Sequence, residues 1–266
     1  ASKREATLQD TPISVSVTSS MDIEQSKIND IADLQVLVPS LRVTLGTRAA
    51  NLNYSIRGFG NGGNSSGKEP AVGVFIDGVY RSRSAAAIGD LPKLERAEVL
   101  RGPQSTLVGK NASAGVISVV SAKPSFTFNG YAEGGLSNYD GRQGKAYFTG
   151  PLSESVAVSI GGSFNKRDGY AENVTLGTDL NDRDRFGLRG QVLVQPADNM
   201  EFRIIADYDE LNEICCYAPN LINGPTGAAV PLLGGQVITD PFGYRTALTF
   251  DPTNKVQNHG ISFHAD

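Results

Sequence analysis

The sequence predicts a compact α+β unit of short elements over residues 1–125, followed over residues 126–266 by long antiparallel β-strands. Three observations carry this expectation. Thirty glycines, no tryptophan and two methionines in 266 residues suit strands and turns better than a helical bundle. Near Lys123-Pro124 the apolar pattern changes from short mixed runs to sustained alternation with a period of two. No stretch approaches the roughly 18–20 uninterrupted apolar residues of a membrane helix, runs such as Val72 to Ile76 being among the longest. Membrane strands of about 10 residues show only alternation and escape that criterion.

The elements follow in order. Ser20-Met-Asp-Ile-Glu offers a helix N-cap with an acidic first turn, and Asn29-Asp-Ile-Ala-Asp-Leu starts a second short helix that stops before Pro39. Short strands follow at Leu41 to Leu45, Asn53 to Arg57 and Val72 to Ile76. Asp77-Gly78, set between apolar runs, is a strong hairpin signal. Leu94 to Val119 is expected to form a strand, a sharp turn and another strand, with Gly102-Pro103 breaking the first run and Gly109 and Gly115 permitting turns or close backbone approach.

Beyond residue 128 the two faces of each strand separate by polarity. Val156, Val158 and Ile160 share one face. Phe186, Leu188, Val192 and Val194 oppose Arg189, Gln191 and Gln195, and Phe202, Ile204, Ala206 and Tyr208 oppose Arg203, Asp207 and Asp209. Gly150 to Glu154 and Pro196 to Asn199 are short turns, whereas Lys166 to about Arg183 and Asn212 to about Asn254 are long polar loops. An outer-membrane barrel has this asymmetry, although the alternation alone fits a soluble β-sandwich equally well.

Charge and composition narrow the function classes. A net charge of −4 without a clustered Lys/Arg surface excludes a nucleic-acid partner. Ala1 to Asp10 is polar and carries no signal peptide, so a secreted chain would stand here in mature or trimmed form. Adjacent Cys215 and Cys216 lack metal-ligand spacing and fit either a vicinal disulfide or two loop thiols. Gly58 to Gly63 lacks the strand, helix and Lys-Ser/Thr context of a nucleotide-binding loop, and Asn173-Val-Thr175 is a sequon that arises readily by chance. His259 and His264 are expected on the barrel wall or the last loop, and no catalytic constellation, cofactor site or metal site is expected.

The run from Leu94 to Val119, with Glu95, Glu98, Arg101, Gly102, Pro103, Gly109, Asn111 and Gly115, resembles the signature of the TonB-dependent receptor plug. Upstream, Tyr54-Ser-Ile-Arg-Gly-Phe59, with Arg57 and Gly58, and Val74-Phe-Ile-Asp-Gly-Val-Tyr80, with Asp77 and Gly78, resemble two further plug motifs in the family's order. Ser2 to Val15 resembles the entry to such a plug. The resemblance covers most of residues 1–124 and decides for the barrel: it implies an α+β plug domain followed by antiparallel transmembrane β-barrel strands. Family barrels hold about 22 strands, of which this sequence supplies about six, so the chain is expected to continue past Asp266. The Ton box is expected before Ala1, since nothing in residues 1–10 can be assigned to it.

The implied function is energy-coupled uptake of a scarce nutrient, a ferric siderophore-type chelate first, in the outer membrane of a Gram-negative bacterium, with TonB and outer-membrane lipid as partners and no enzymatic step. A passive porin-like channel, a receptor for a carbohydrate or vitamin, and a soluble β-rich domain are the alternatives. The resemblance places ligand contacts on apical plug loops, which makes Asn61, Asn64, Tyr80, Arg81 and Arg83 the candidates, the two arginines suiting an anionic ligand. The competing reading pairs those arginines with barrel carboxylates. Arg57, Glu95, Glu98 and Arg101 are expected to pair with one another or with inward barrel charges such as those at Arg189 and Arg203, because an unpaired charge in a confined site costs several kcal/mol.

Overall fold

The computed structural model describes residues 13–45, 52–60, 69–87, 89–90 and 93–266. In the plug, β1 (Val15–Ser19) runs antiparallel to β7 (Leu94–Arg101), which pairs antiparallel with β8 (Gly115–Ser121). β8 then pairs in parallel with β5 (Val72–Ile76), and β5 turns back into β6 (Val79–Tyr80). Asp77 and Gly78 take positive φ of 49° and 75° in that turn, as an Asp-Gly hairpin requires. A smaller sheet joins β2 (Leu41–Leu45), β3 (Leu52–Ile56) and β4 (Phe59–Gly60). Tyr54, Ile56, Val72, Val99, Ile117 and Val119 from the two sheets are buried with Ile31, Leu34 and Val38. Fully burying such side chains contributes about 1.5–3 kcal/mol each.

Four local expectations change. The helix α1 (Ser20–Gln25) is capped by Ser19 and not by Ser20: Ser19 Oγ accepts from the Asp22 amide at 3.2 Å and Asp22 Oδ2 accepts from the Ser19 amide at 3.2 Å. The second helix is only a 3₁₀ turn over Asp33–Val36, started by Asp30 and Asp33: the Asp30 carboxylate accepts from the Asp33 amide at 3.1 Å and the Asp33 carboxylate from the Asp30 amide at 3.3 Å. Between β7 and β8 the chain forms a helical turn, α2 (Ser105–Val108), where a plain sharp turn was expected. β3 also begins and ends one residue earlier than the sequence pattern indicated.

After Ser121 the chain enters a second, six-stranded sheet. Its long strands are β9 (Asn129–Ser137), β10 (Gly141–Pro151), β11 (Val156–Arg167), β14 (Arg183–Ala197), β15 (Met200–Ile214) and β17 (Thr253–Ala265). Each pairs antiparallel with the next. Between them, β12 (Ala171–Asn173), β13 (Thr178–Leu180) and β16 (Arg245–Thr246) join the two long loops into a three-stranded sheet that sequence alternation did not reveal. Phe148, Ile160, Phe164, Phe186, Leu188, Ile204, Ile261 and Phe263 form an exposed apolar face across the long strands. Arg185, Arg189, Gln191, Arg203 and Ile205 lie buried on the other face, against the plug. Leu211, Val256 and Cys215 of the wall join the plug's apolar cluster, so plug and wall share a core.

Gly115 sits where β8 crosses close to β7, with φ of 152°. A Cβ there would collide with the Leu100 carbonyl oxygen and come within 2.7 Å of Ile56 Cδ1. Gly115→Ala is therefore expected to destabilise the plug by about 3 kcal/mol or more, combining overpacking with backbone strain. Gly58→Ala, at φ of 82° with open space around the added methyl, should cost only about 1 kcal/mol. Denaturant unfolding of the full-length receptor checks the order of the two.

Candidate functional site

The buried face of β14 and β15 meets the plug in a ladder of polar contacts. At one end Lys123 Nζ pairs with Glu201 Oε1 at 2.6 Å, and Gln191 Nε2 donates to the Ala122 carbonyl at 3.0 Å. Next comes Asp77, whose hairpin turn aims the carboxylate at the wall. Asp77 accepts from the Ser121 amide at 2.8 Å and the Ser121 hydroxyl at 2.9 Å within the plug. From the wall it accepts from Arg189 Nη2 and stands 3.6 Å from Arg203 Nη2. Asp207 of β15 then pairs with Arg81 Nη2 at 3.2 Å and with Arg189 Nη1 at 3.6 Å. At the far end Arg185 holds Glu213 at 2.7 Å, Asp30 at 3.1 Å and Asp90 at 3.7 Å, and β17 adds Asn258 Nδ2 donating to the Ala85 carbonyl at 2.9 Å.

These charges lie out of water: the side chains of Asp77, Glu213, Arg185, Arg189 and Arg203 are between 1% and 8% exposed. Their environment leaves a mark on titration within the plug. Burial pushes the Asp90 carboxyl above the usual carboxylate range against the opposing pull of Arg185. It likewise raises Asp33, helped by the neighbouring Asp30 charge, and raises the Tyr54 phenol for the same two reasons. Further along the same sheet, Lys27 reaches Glu133 of β9 at 3.4 Å with 76% and 44% of the two side chains exposed. Breaking a buried pair costs about 3–5 kcal/mol, whereas an exposed one contributes about 0–1 kcal/mol. Among the described residues the pairs to β14 and β15 are thus the stronger contacts between plug and wall.

The loops at the Arg185 end are fastened to one another. Asn173, fully buried, donates to Asp251 at 3.3 Å and accepts from the Leu248 amide at 3.0 Å, so its side chain is engaged in loop packing. Tyr139, Tyr170, Tyr244 and Tyr217 form a chain of ring contacts 5.8–6.1 Å apart, with Arg167 5.2 Å from the Tyr170 ring. Cys215 and Cys216 form a disulfide, and Asn254 Nδ2 donates to the Cys215 carbonyl at 3.0 Å. His264 lies beside Ser262 Oγ at 3.2 Å on the inner face of β17, while His259 is exposed.

Among the candidate ligand contacts, Tyr80 and Arg81 stand together at the β5–β6 hairpin. The Tyr80 hydroxyl accepts from Asn111 Nδ2 at 2.9 Å, and Arg81 is paired with Asp207. Arg83 is exposed two residues further on, and Asn61 and Asn64 lie outside the described residues. The plug-signature charges pair inside the plug and leave the wall to others. Arg57 donates to Ser14 Oγ at 3.2 Å; Arg101 donates to Ser40 Oγ at 2.8 Å and also to Ser14 and Ser16; Glu95 and Glu98 both bind Arg96. Arg101 faces three hydroxyls that tie β1 and the segment before β2 to β7, and hydroxyls satisfy its donors as a wall carboxylate would. Sequence reasoning missed Asp30, Asp90, Arg185 and Glu213. Arg185 was within reach, since it shares the parity of Arg189 along β14.

Arg185→Ala strands three carboxylates in the interface and is expected to destabilise the plug–wall contact by about 3–5 kcal/mol, while Lys27→Ala should change it by no more than about 1 kcal/mol. Comparing denaturant midpoints of the two full-length variants reads the difference.

The family description "TonB-dependent Receptor Plug Domain" matches residues 7–116. The chain is 31% identical over 147 residues to the pesticin receptor of Yersinia pestis, covering 54% of this chain and 21% of the relative. It is 30% identical over 199 residues to a probable TonB-dependent siderophore receptor of Acinetobacter baumannii, covering 67% and 24%. The chain thus spans about a quarter of the length of these relatives. Its fold is shared with the ferric yersiniabactin uptake receptor of Yersinia pestis at a TM-score of 0.79 and 23% identity, over 95% of this chain and 38% of that one. It is shared with the ferripyoverdine receptor of Pseudomonas aeruginosa at 0.65 and 20% identity, over 78% and 26%. With the plug motifs in their order, the plug match and the same succession of plug and barrel strands, the chain belongs to the TonB-dependent receptors.

Proposed function

We propose that the complete receptor lies in the outer membrane of a Gram-negative bacterium and imports a ferric siderophore-type chelate, with TonB acting on the plug from the periplasmic side. The observation that carries the reading is the ladder of buried pairs from Asp77 to Arg185, which holds a folded domain against the barrel's inner face. A barrel filled in this way is closed to passive flow, so transport needs work on the plug. The exposed apolar face of β10, β11, β14, β15 and β17 supports contact with lipid. The names of the relatives, a pesticin receptor and a siderophore receptor, support the iron-chelate class of cargo.

In this reading the plug occupies residues 1–125, and the stretch from Ala122 to Phe128 carries the chain from β8 to β9. The short turns face the periplasm and the long loops, with the Cys215–Cys216 disulfide, face outward. Ligand is met by the apical plug residues Asn61, Asn64, Tyr80 and Arg83; Arg81 orients Asp207 while its own charge stays paired.

Energy coupling and cargo separate in one set of assays. Uptake of a ferric chelate by cells producing the full-length receptor is expected to collapse on adding a protonophore, and receptor abundance to rise in iron-starved growth. Uptake that survives the protonophore would instead indicate a passive channel, and indifference to iron would favour a carbohydrate or vitamin. Arg83→Ala should weaken chelate binding about tenfold without altering the plug, the effect of losing one charge-assisted hydrogen bond.

A further inference from the structure

Gly187 opens a place on the inner face of the wall. In the antiparallel register Ser163 of β11 stands beside Gly187 of β14, and Gly187 beside Asp209 of β15, so the three lie in one row across strands interior to the sheet. A Cβ built on Gly187 would lie 3.1 Å from Asp209 Oδ1, 3.2 Å from Ser163 Oγ and 3.4 Å from the carbonyl oxygen of Asp90, which the plug brings over the row. The Asp209 carboxylate also packs against the Gly89 backbone, where a Cβ would collide with it. Two of these groups are buried with nothing to bond. Ser163 is 7% exposed and the Asp90 side chain 9%, and neither Ser163 Oγ nor Asp90 Oδ1 has a hydrogen-bond partner among the described residues. Oxygens so placed are costly to bury and call for an occupant that bonds them. A gap of about 10 Å³ bounded by both carboxylates, Gly89 and Arg185 has room for one water-sized occupant.

We propose that Asp90, Ser163 and Asp209 hold a single monovalent cation of sodium's size between plug and wall. Charge decides for a cation over water. Arg185 stands 3.7 Å from Asp90 Oδ1 but holds Glu213 and Asp30 more closely, at 2.7 Å and 3.1 Å. Among the described residues no cation lies within ion-pair distance of Asp209, because Arg81 and Arg189 are engaged by Asp207 and Asp77. Lys145, next in the row beyond Ser163, pairs with Glu133 at 3.5 Å, and Asn258, beside Asp209, donates to the Ala85 carbonyl. Water would bond the free oxygens and leave the carboxylate charges uncompensated; a monovalent cation does both. Calcium takes about six to eight oxygen ligands and magnesium a near-ideal octahedron, more than these three residues provide, and no group of three or more His, Cys, Asp and Glu suited to a metal ion gathers among the described residues. The ion joins the plug segment that follows Arg81 and Arg83 to β11 and β15, beside the Arg185–Asp90 pair. The proposal does not depend on what the receptor imports.

Two measurements on the full-length receptor test this. In the first, plug unfolding is followed in sodium chloride and in choline chloride at equal ionic strength, which holds screening constant. Sodium is expected to raise the midpoint saturably, by about 2–4 °C. Gly187→Ala fills the place with a methyl group and changes no charge, and Asp209→Asn removes a ligand; both are expected to lose the sodium increment. In the second, which needs no variant, crystals of the wild-type receptor grown with thallium(I) in place of sodium are expected to show an anomalous peak in contact with Asp90, Ser163 and Asp209. A water at that place without an anomalous peak would overturn the proposal, as would a sodium increment that Gly187→Ala retains in full. Stabilisation by calcium chloride and not by sodium chloride would overturn the assignment to a monovalent ion.

Discussion

Asp77 is a carboxylate with almost no access to water that sits between two domains. It accepts from the Ser121 amide and hydroxyl on the plug, at 2.8 Å and 2.9 Å, and faces Arg189 and Arg203 on the wall. An isolated charge so placed would lose several kcal/mol of hydration; with donors on every side it becomes a point at which the geometry of both domains is fixed. Its own position depends on the positive-φ turn of Asp77-Gly78, and that turn exists because β5 pairs with β8 on one side and with β6 beyond it. The strand-pairing of the plug, the parity of β14 and β15 and the seating of one on the other are thus a single constraint.

From that constraint the seating of the plug on these strands follows. Buried pairs and a shared apolar cluster, in which Leu211, Val256 and Cys215 join Ile31 and Leu34, seat the plug along β14, β15 and β17. Along β9 the contact is made by Lys27, which reaches Glu133 at 3.4 Å, and by Lys93, which lies 5.4 Å from the Tyr131 ring. The two long loops are tied to each other through buried Asn173 and the β12–β13–β16 sheet.

Much of this was legible in the residues. The hairpin at Asp77-Gly78, the inward set Arg189, Gln191, Arg203 and Asp207, and the succession of long strands follow from turn chemistry and a period of two, which act over a few residues. What escaped depends on distance along the chain. Arg185 meets Asp30 across 155 positions, and nothing local to either residue announces the other. The residues led to the expectation that Arg57 and Arg101 pair with Glu95 and Glu98 or with wall charges, whereas the fold gives Arg57 the Ser14 hydroxyl and Arg101 the hydroxyls of Ser14, Ser16 and Ser40. The 3₁₀ turn at Asp33–Val36 keeps the helix-start signals, Asp30 and Asp33 capping each other's amides, but closes with bonds of the tighter i→i+3 type before Pro39. Of the candidate ligand contacts, Asn61 and Asn64 fall outside the described residues, while Arg81 illustrates how a cation that looks available in sequence is engaged once the wall is in place.

The central claim is that the Asp77–Arg189 pair couples plug to wall. A double-mutant cycle with Asp77→Asn and Arg189→Gln in the full-length receptor, read as the free energy of plug unfolding in denaturant, measures it directly. The account predicts a coupling of about 1–3 kcal/mol, the two single changes together costing more than the double change. Effects that add to within about 0.5 kcal/mol would mean that the two residues act independently and would contradict it.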